Sequence, residues 1–231
     1  MISNEWLWLA MLALNFILVT AIYRFAGKTG LYVWIPISTI LANIQVVKMV
    51  QLFGFEATLG NIIYGTSFLV TDILSENYGK ESSKKAVYIG FFSLLAFAAI
   101  MKLAVLFQPS ANDFAQPSLE AIFNFMPRLA FASLVAYGVS QFHDVWAYHL
   151  WKSILPGAKY IWIRNNASTM VSQFIDSIAF TLVAFWGVMD IPVLFEVFWT
   201  TYILKWIVSV ADTPFLYLAY WFKSKNLIKE A

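Results

Sequence analysis

Long runs of almost uncharged, apolar residues recur through this sequence and constrain its fold more than any other feature. Examples are "WLWLAMLALNFILVTAIY" at 6–23 and "AVYIGFFSLLAFAAIM" at 86–101. A helix rises about 1.5 Å per residue, so about 20 residues cross the roughly 30 Å hydrocarbon core of a bilayer. Hydrophobic residues make up 61% of the chain and charged residues 12%, whereas soluble domains average about half and a quarter. The chain is therefore predicted to be an integral membrane protein.

The apolar runs predict an all-α bundle of about seven transmembrane helices, forming a single transmembrane domain over residues 1–231. The links between runs, such as "GFEA" and "GVMDIP", are too short for a soluble domain. The sequence lacks the alternating pattern of an outer-membrane barrel. No basic segment precedes the first run, so we expect a retained helix and not a signal peptide. Pro214 is expected to kink or break the last helix. The predicted helices are 6–26, 30–53, 57–76, 86–107, 122–150, 161–187 and 192–222.

Eleven of the fifteen basic residues lie in alternate loops, at the helix ends next to those loops, or in the C-terminal tail. The intervening loops carry Glu56, Asp113, Glu120 and Asp190 and no basic residue. Positive charge marks the cytoplasmic loops of membrane proteins. The N-terminus is therefore expected outside and the C-terminus in the cytoplasm. The basic loop residues are Arg24, Lys28, Lys80, Lys84, Lys85, Lys152, Lys159, Arg164, Lys223, Lys225 and Lys229.

Composition and spacing argue against several classes of function. The chain has no cysteine, which rules out disulfides and thiolate metal sites. Its net charge of +2 comes without a basic stripe and does not indicate nucleic-acid binding. His143 and His149 point to different faces of a helix, which does not suit a metal or haem site. We expect no enzyme activity, no metal site and no cofactor.

Polar and charged residues inside the predicted spans repeat at helical spacing. Steps of three and four residues place them on one face of each helix. A charge at mid-bilayer costs about 2.5–3.5 kcal/mol, so such side chains are expected to face an interior and to have partners. They predict a polar cavity, with Phe, Leu and Trp turned to lipid. The stripes are Ser133, Tyr137, Gln141 and Asp144; Arg164, Ser168, Ser172 and Asp176; and Tyr202, Lys205, Ser209 and Asp212, with Asn43 and Gln45 on the second helix.

Depths measured from the ends of the predicted spans suggest which charges meet. Asp72 and Lys205 both fall about 20 Å below the outer surface at about 1.5 Å per residue, and they are expected to pair. Asp144 falls near the cytoplasmic end, where Lys152 or Arg164 is its expected partner. Breaking a buried pair by removing one partner is expected to be more harmful than removing both.

Other ionisable residues have simpler expected roles. Glu76 is expected to mark the cytoplasmic end of the third helix, and "SENYGKESSKK" at 75–85 to form a capped, solvated loop. Lys48 and Lys102 are close enough to the outer surface to snorkel. Arg128 is expected either to anchor the outer end of the fifth helix or to act in gating, and the sequence leaves both open.

Several sequence blocks resemble the queuosine precursor transporter family, also called vitamin-uptake-like transporters. They are "TSFLVTDILSENYGKESSKKAVYIGF", "PRLAFASLVAYGVSQFHDVWAY", "IRNNASTMVSQFIDSIAFTLVAF" and "YILKWIVSVADTPFLYL", in family order. The resemblance runs from about residue 36 to 222. It implies a six-helix core over 29–222, similar in outline to the substrate-binding components of energy-coupling-factor vitamin importers. Residues 1–28 would then form an accessory helix and 223–231 a cytoplasmic tail.

The resemblance implies import of queuosine precursors, meaning queuine or 7-deazaguanine bases such as preQ0 and preQ1, across the bacterial inner membrane. Ser133, Arg164 and Ser168 match family positions. The candidate substrate-binding residues implied by the resemblance are Asn43, Asp72, Arg128, Tyr137, Gln141, Asp144, Gln173, Asp176 and Lys205.

The chemistry of such a base suits these residue types. A 7-deazaguanine offers an N1–H and a 2-amino group to a carboxylate, and an O6 acceptor to an amide or a cation. Its flat face stacks on aromatic rings, which is worth about 1–3 kcal/mol in nucleic-acid systems. Our hypothesis is that Asp176 reads the base together with Gln173 or Asn43. The candidate stacking rings are Phe174, Phe180 and Trp162.

Two alternative functions stay open at this point. One is the binding component of a vitamin importer that needs a separate energising module. The other is an ion-coupled carrier of a different solute, for which the cytoplasmic acids would suit a proton gradient. The expected partners are a purine-like small molecule and the lipid bilayer, with a second copy of the chain as a further candidate.

Overall fold

The computed structural model describes residues 3–124, 126–187 and 190–229. These residues form α-helices and one short two-stranded hairpin, so the predicted all-α bundle is confirmed. A single 3-10 turn, Ala158–Tyr160, precedes the sixth helix. The elements are α1 (Asn4–Gln45), β1 (Met49–Leu52), β2 (Phe55–Thr58), α2 (Asn61–Tyr78), α3 (Lys80–Val105), α4 (Gln116–Phe123), α5 (Met126–Ile154), α6 (Ile161–Phe185) and α7 (Ile191–Ser224).

The α1 helix is a hairpin of two arms and not one straight rod. Its helical geometry breaks at Gly27, whose φ of 53° and ψ of −138° suit only glycine. At the open end of the hairpin, Asn4 Nδ2 donates to the carbonyl of Gln51 at 3.0 Å. The chain thus returns to the level of its own N-terminus. The two arms correspond to the predicted helices 6–26 and 30–53, although the second arm ends at Gln45.

Residues 49–58 differ from the prediction, which continued the second helix to 53. They form the antiparallel pair β1–β2, in which Leu52 lies opposite Phe55. The two connecting residues, Phe53 and Gly54, both have positive φ, at 54° and 84°. That conformation is typical of the tight turns whose twist matches a hairpin. The local turn preference therefore overrides the apolar run in this segment.

Two further boundaries also differ from the expectations, and the expected break at Pro214 does not occur. The α3 helix begins at Lys80, directly after Gly79 with its φ of 84°, so most of the charged segment 75–85 is helical and not a loop. The short helix α4 lies in the predicted link before the fifth helix. The α7 helix continues through Pro214, which removes one backbone donor without ending the helix.

Four helical segments are long and apolar enough to cross a membrane: Asn4–Gln45, Lys80–Val105, Ala158–Phe185 and Leu194–Ser224. A fifth crossing results if α4 and α5, bent by 42°, form one span. The hairpin α1 is counted as one of these four segments, and α2 is not among them. The membrane helix bundle is therefore confirmed, and the number of seven crossings stays a prediction.

The surface of the bundle is far more apolar than that of a soluble protein. Large apolar side chains cover the outside of the bundle, as predicted for lipid-facing residues; Phe92, Phe107 and Trp186 are examples. The largest buried apolar cluster lies between the two arms of α1, α2 and α7, and it includes Phe16 and Leu69. Polar side chains fill the space between α2, α5, α6 and α7. The division into an accessory helix, 1–28, and a core stays a prediction, although the first arm of α1 supplies residues to the largest cluster.

The turn at Gly27 provides a test of the α1 hairpin. Gly27→Ala should destabilise the protein by about 1–3 kcal/mol, because an alanine at this φ and ψ is strained. The thermal unfolding midpoint of purified protein in detergent measures the effect. Gly157→Ala is the matched control, since Gly157 has an ordinary φ of −65° and room for a methyl group. Equal midpoints for the two variants would contradict the hairpin geometry.

Candidate functional site

The two ends of the bundle differ in charge. We call the end that carries β1–β2 the hairpin end, and the opposite end, with the turn at Gly79 and residues 155–160, the basic end. Lys152 Nζ donates to the carbonyl of Glu76 at 2.8 Å, which joins α5 to the end of α2. At the same end the backbone N–H of Lys229 donates to the carbonyl of Arg24 at 3.2 Å. The predicted grouping of basic loops on one side thus agrees with how the elements lie.

A polar cavity opens between the helices near the hairpin end. Its volume is about 30 Å³, which is room for about two water molecules. Ligand pockets usually measure about 300–1,000 Å³, so the cavity is too small for a bicyclic base in this conformation. Its lining residues are Ala42, Asn43, Val46, Gly60, Asn61, Tyr64, Ser133, Asp176, Phe180 and Lys205.

The charged centre of this cavity is an ion pair between Asp176 of α6 and Lys205 of α7. Lys205 Nζ donates to Asp176 Oδ2, and both side chains are at least 96% buried. Ser140 Oγ donates to the second carboxylate oxygen at 3.0 Å. Lys205 Nζ also lies 4.9 Å from the centre of the Tyr64 ring, a cation–π distance. The pair is thus held by α2, α5, α6 and α7 together.

This pairing corrects the prediction that Lys205 pairs with Asp72. Asp72 is fully buried, but its Oδ2 accepts a hydrogen bond from Thr169 Oγ1 of α6 at 3.2 Å. Similar depth in the membrane does not place two side chains together, because the rotation of each helix about its axis decides which neighbour a side chain faces. The rotation of α2 directs Asp72 towards α5 and α6, while Asp176 takes the lysine.

Aromatic side chains surround one side of the cavity. Tyr137 lies edge-on to Tyr64, with ring centres 5.9 Å apart, and to Phe91, at 5.4 Å. Its hydroxyl group has no partner among the described residues. A methyl group on Gly90 would come within 2.7 Å of that hydroxyl, so glycine allows Tyr137 to lie there. Of the proposed stacking rings, Phe180 alone appears in the cavity lining; Phe174 packs on Phe198 and Tyr202, and Trp162 is exposed.

A second polar group lies deeper in the bundle, and we call it the acid cluster: Asp72, Asp144 and Asp212. All three are fully buried. The carboxyl groups of Asp72 and Asp144 lie within hydrogen-bonding reach of each other. Asp212 Oδ1 accepts from Asn165 Nδ2 at 2.7 Å. Neither oxygen of Asp144 has a partner of good geometry in the described part of the chain.

Two glutamine side chains, Gln141 of α5 and Gln173 of α6, are also fully buried in the bundle. Gln141 Oε1 accepts from Thr71 Oγ1 at 3.2 Å, and its Nε2 donates to Ser67 Oγ at 3.4 Å, so it links α5 to α2. Gln173 is fully buried, yet neither of its amide atoms finds a partner in the residues described. Unpaired buried amides are rare and indicate bound water or ligand.

A buried ion-pair network lies at the basic end, and we call it the lock. Arg164 is completely buried and donates from Nη2 to Glu76 Oε2 at 2.7 Å. Tyr148 donates to the same oxygen at 3.0 Å, and Lys152 Nζ lies 3.5 Å from it. The prediction that Asp144 pairs with Lys152 or Arg164 is therefore wrong, because Glu76 takes both cations.

Arg128 lies outside both polar clusters. It is exposed, and it donates from Nε to the carbonyl of Val183 at 3.0 Å and from Nη2 to that of Trp186 at 2.5 Å. These carbonyl groups lie at the end of α6, where no backbone N–H of the helix is available to donate to them. Of the two expected roles, its contacts are those of an anchor. Lys102 donates to Asn124 Oδ1 at 3.2 Å in an exposed position.

The cavity thus gathers Asn43, Asp176 and Lys205 from the predicted site, and Tyr137 borders it through Tyr64. Sequence reasoning missed Tyr64 and Ser140. Tyr64 precedes Ser67 and Thr71 at helical spacing in "YGTSFLVT", which is a polar stripe on the third predicted helix. Ser140 lies three residues after Tyr137 and four before Asp144, so the same helical spacing could have placed it on the stripe of the fifth helix.

Comparison with known proteins places these observations in a family. The family described as "Putative vitamin uptake transporter" matches residues 58–219. A "Probable queuosine precursor transporter" of Bacillus subtilis (strain 168) is 44% identical over 216 residues, which cover 94% of this chain and 94% of that protein. The "Queuosine precursor transporter" of Escherichia coli (strain K12) is 27% identical over 150 residues, 64% of each chain.

A third relative, the "Probable queuosine precursor transporter" of Haemophilus influenzae (strain ATCC 51907 / DSM 11121 / KW20 / Rd), is 28% identical over 138 residues, 60% of this chain and 56% of that protein. No solved structure matches the chain. The family match covers most of the sequence, including α2, α5, α6 and most of α7, which supply most of the cavity lining. This chain therefore belongs to the queuosine precursor transporter family, the membrane transporters grouped as vitamin uptake transporters.

Proposed function

We propose that this protein imports queuosine precursors, planar 7-deazaguanine bases, across the bacterial inner membrane. The single observation that carries the proposal is the buried Asp176–Lys205 pair lining a polar cavity, in a chain whose relative with 44% identity is named a transporter of these compounds. An ion pair buried inside a membrane protein is a candidate substrate or ion site by default. The family membership makes a substrate site the stronger interpretation.

The base is proposed to bind at the hairpin-end cavity. Asp176 accepts the N1–H and the 2-amino group, Lys205 turns to the O6 atom, and Asn43 contacts a remaining polar edge. Phe180 and Tyr64 supply rings against the flat face. The cavity of about 30 Å³ has to widen for this, so the described conformation corresponds to a closed form of the proposed site. Asp72, Asp144, Gln141, Gln173 and Arg128 make no contact with the base in this arrangement.

The difference between the two ends supports a proposed direction of transport. We propose that the hairpin end faces outside and that the basic end, with the lock, faces the cytoplasm, in keeping with the positive-inside rule. The base then enters from the hairpin end while Arg164 and Glu76 keep the cytoplasmic side closed. Release needs the lock to open. A second copy of the chain as a partner stays a prediction.

Uptake by the protein alone tests the proposed function. Purified protein in liposomes should transport a radiolabelled 7-deazaguanine precursor without an ATPase subunit. Queuine and related deaza bases should compete, and unrelated vitamins should not. Transport that appears only with a separate energising module would favour the binding-component alternative. Equal competition by unrelated solutes would overturn the substrate class.

Neutralising the charges of the ion pair distinguishes a role in substrate binding from a role in packing. Asp176→Asn and Lys205→Met each leave one buried charge unpaired, which should cost about 3–5 kcal/mol of stability. The double variant should regain most of that stability, as measured by thermal unfolding in detergent. Uptake should be lost in all three variants, because the base needs both groups.

Glu196→Gln is the matched control for this series, since Glu196 is an exposed carboxylate on the same helix as Lys205. It should unfold and transport as the parent protein does. A stable double variant with normal uptake would assign the pair to packing and would refute the proposed site.

The absence of cysteine makes the orientation easy to test. Single cysteines at Ser110, an exposed residue after α3, and at Lys225, an exposed residue after α7, mark the two ends. In intact cells a membrane-impermeant maleimide should label Ser110→Cys, and it should reach Lys225→Cys only after permeabilisation. The parent chain is an unlabelled control. The opposite labelling pattern would reverse the proposed direction.

A further inference from the structure

The acid cluster is the buried polar group that the proposed base site does not use. In the described ranges, the ion pairs join Glu81 with Lys84, Glu76 with Lys152 and Arg164, and Asp176 with Lys205. Asp72, Asp144 and Asp212 belong to none of them, although all three are fully buried. A carboxylate in the low-dielectric interior needs a cation, hydrogen-bond donors or a proton. No basic side chain of the described residues forms an ion pair with this cluster.

Unpaired acceptor atoms around the cluster supply a second, independent observation. Asn165 is fully buried and directs its Nδ2 to Asp212, while its own Oδ1 finds no donor in the part of the chain described. No described donor forms a hydrogen bond with four further carboxylate oxygens: both oxygens of Asp144, Oδ1 of Asp72 and Oδ2 of Asp212. Buried acceptors are nearly always satisfied. The described residues therefore present more acceptors than donors at this site, and a proton on one carboxyl group would supply a donor.

From these contacts we infer that Asp72 and Asp144 share a transported proton, and that import of the base is coupled to entry of that proton. Two fully buried carboxyl groups that contact each other cannot both stay ionised, and one proton between them removes the repulsion. The described residues contain no group of three or more metal-ligating side chains suited to a metal ion. A proton fits the site better than a metal cation does. The inference rests on the proposed import function.

The position of the cluster along α2 explains how the coupling acts. This helix carries, in order, Tyr64 at the cavity, Asp72 in the cluster and Glu76 in the lock. A change of charge at Asp72 therefore occurs on the same helix as both sites. One helical turn separates Asp72 from Glu76. A change of charge at Asp72 therefore acts on the lock at the basic end.

The titratable and charged groups near this part of α2 come from every element packed on it. They act on the cluster together, and all of them have to be kept when the test variants are designed. They are Tyr23 on α1, which accepts from Asn77; Asp144, Tyr148 and Lys152 on α5; Arg164 on α6; and Asp212 on α7, while α3 contributes the hydroxyl of Ser83 against Ser75.

The test uses the purified protein in liposomes with a labelled 7-deazaguanine precursor and a pH-sensitive dye inside. With acid outside, accumulation should rise by up to about tenfold per pH unit for one proton per base, and addition of the base should acidify the interior. Asp72→Asn and Asp144→Asn should lose gradient-driven accumulation, whereas counterflow exchange of the base should stay within a factor of about two, since chemistry at the cavity is unchanged. Asp113→Asn, at an exposed loop aspartate, is the control and should behave as the parent protein does.

The outcomes separate this inference from the proposed function. Counterflow without any effect of the pH gradient, or accumulation driven by sodium, would overturn proton coupling and leave the importer in place. Absence of counterflow in the parent protein would refute import itself. The dye signal of the parent protein decides the question even where a variant does not fold.

Discussion

The hydrocarbon core of a bilayer supplies no water, so an ionised side chain buried within the bundle has to be balanced mainly by the protein itself. The Asp176–Lys205 pair is where this constraint acts most strongly, because it joins α6 to α7 and receives Ser140 from α5 and the ring of Tyr64 from α2. Removing one partner would leave a charge with no solvent to compensate it. The polar cavity exists because these four helices converge on that pair.

The same constraint is met in two other ways deeper in the bundle. In the lock, one carboxylate, Glu76, is shared by Arg164, Lys152 and Tyr148. In the acid cluster no cation is present among the residues described, and the proposed solution is a proton. A transporter needs interactions that change during the cycle, and the three sites differ in how they change. An ion pair can exchange a partner for a substrate, a lock can separate, and a carboxyl pair can gain or lose a proton.

The α2 helix links these three sites, and it corresponds to the predicted transmembrane helix 57–76. It is not one of the four segments that are long and apolar enough to cross a membrane. Even so, nearly all its residues from Asn61 to Ser75 are buried. A helix surrounded by other helices has no need of a lipid-facing side, so it can carry Asp72 and hydroxyl residues at low cost. Low hydropathy here indicates a central position.

Helical periodicity was the reliable signal in the sequence. The stripe of α6 predicted one polar face, and Arg164, Ser168, Ser172 and Asp176 are all buried. The outward position of Phe, Leu and Trp was also predictable, because both features depend on the contrast between lipid and interior. The hairpin at 49–58 was missed because its tight turn is decided by two residues with positive φ within an apolar run. Likewise, nothing in the sequence distinguished a loop at 80–85 from the first turns of α3.

The sequence by itself determined that the chain is a membrane helix bundle with polar helix faces and a basic side, and its motifs indicated the family. These properties follow from the order of apolar and polar residues along the chain, which is local information. Only the tertiary structure decided that Lys205 pairs with Asp176, that Glu76 takes Arg164, and that Asp72 meets Asp144. Partner choice depends on the rotation and neighbours of each packed helix, and no spacing within a single helix carries that information.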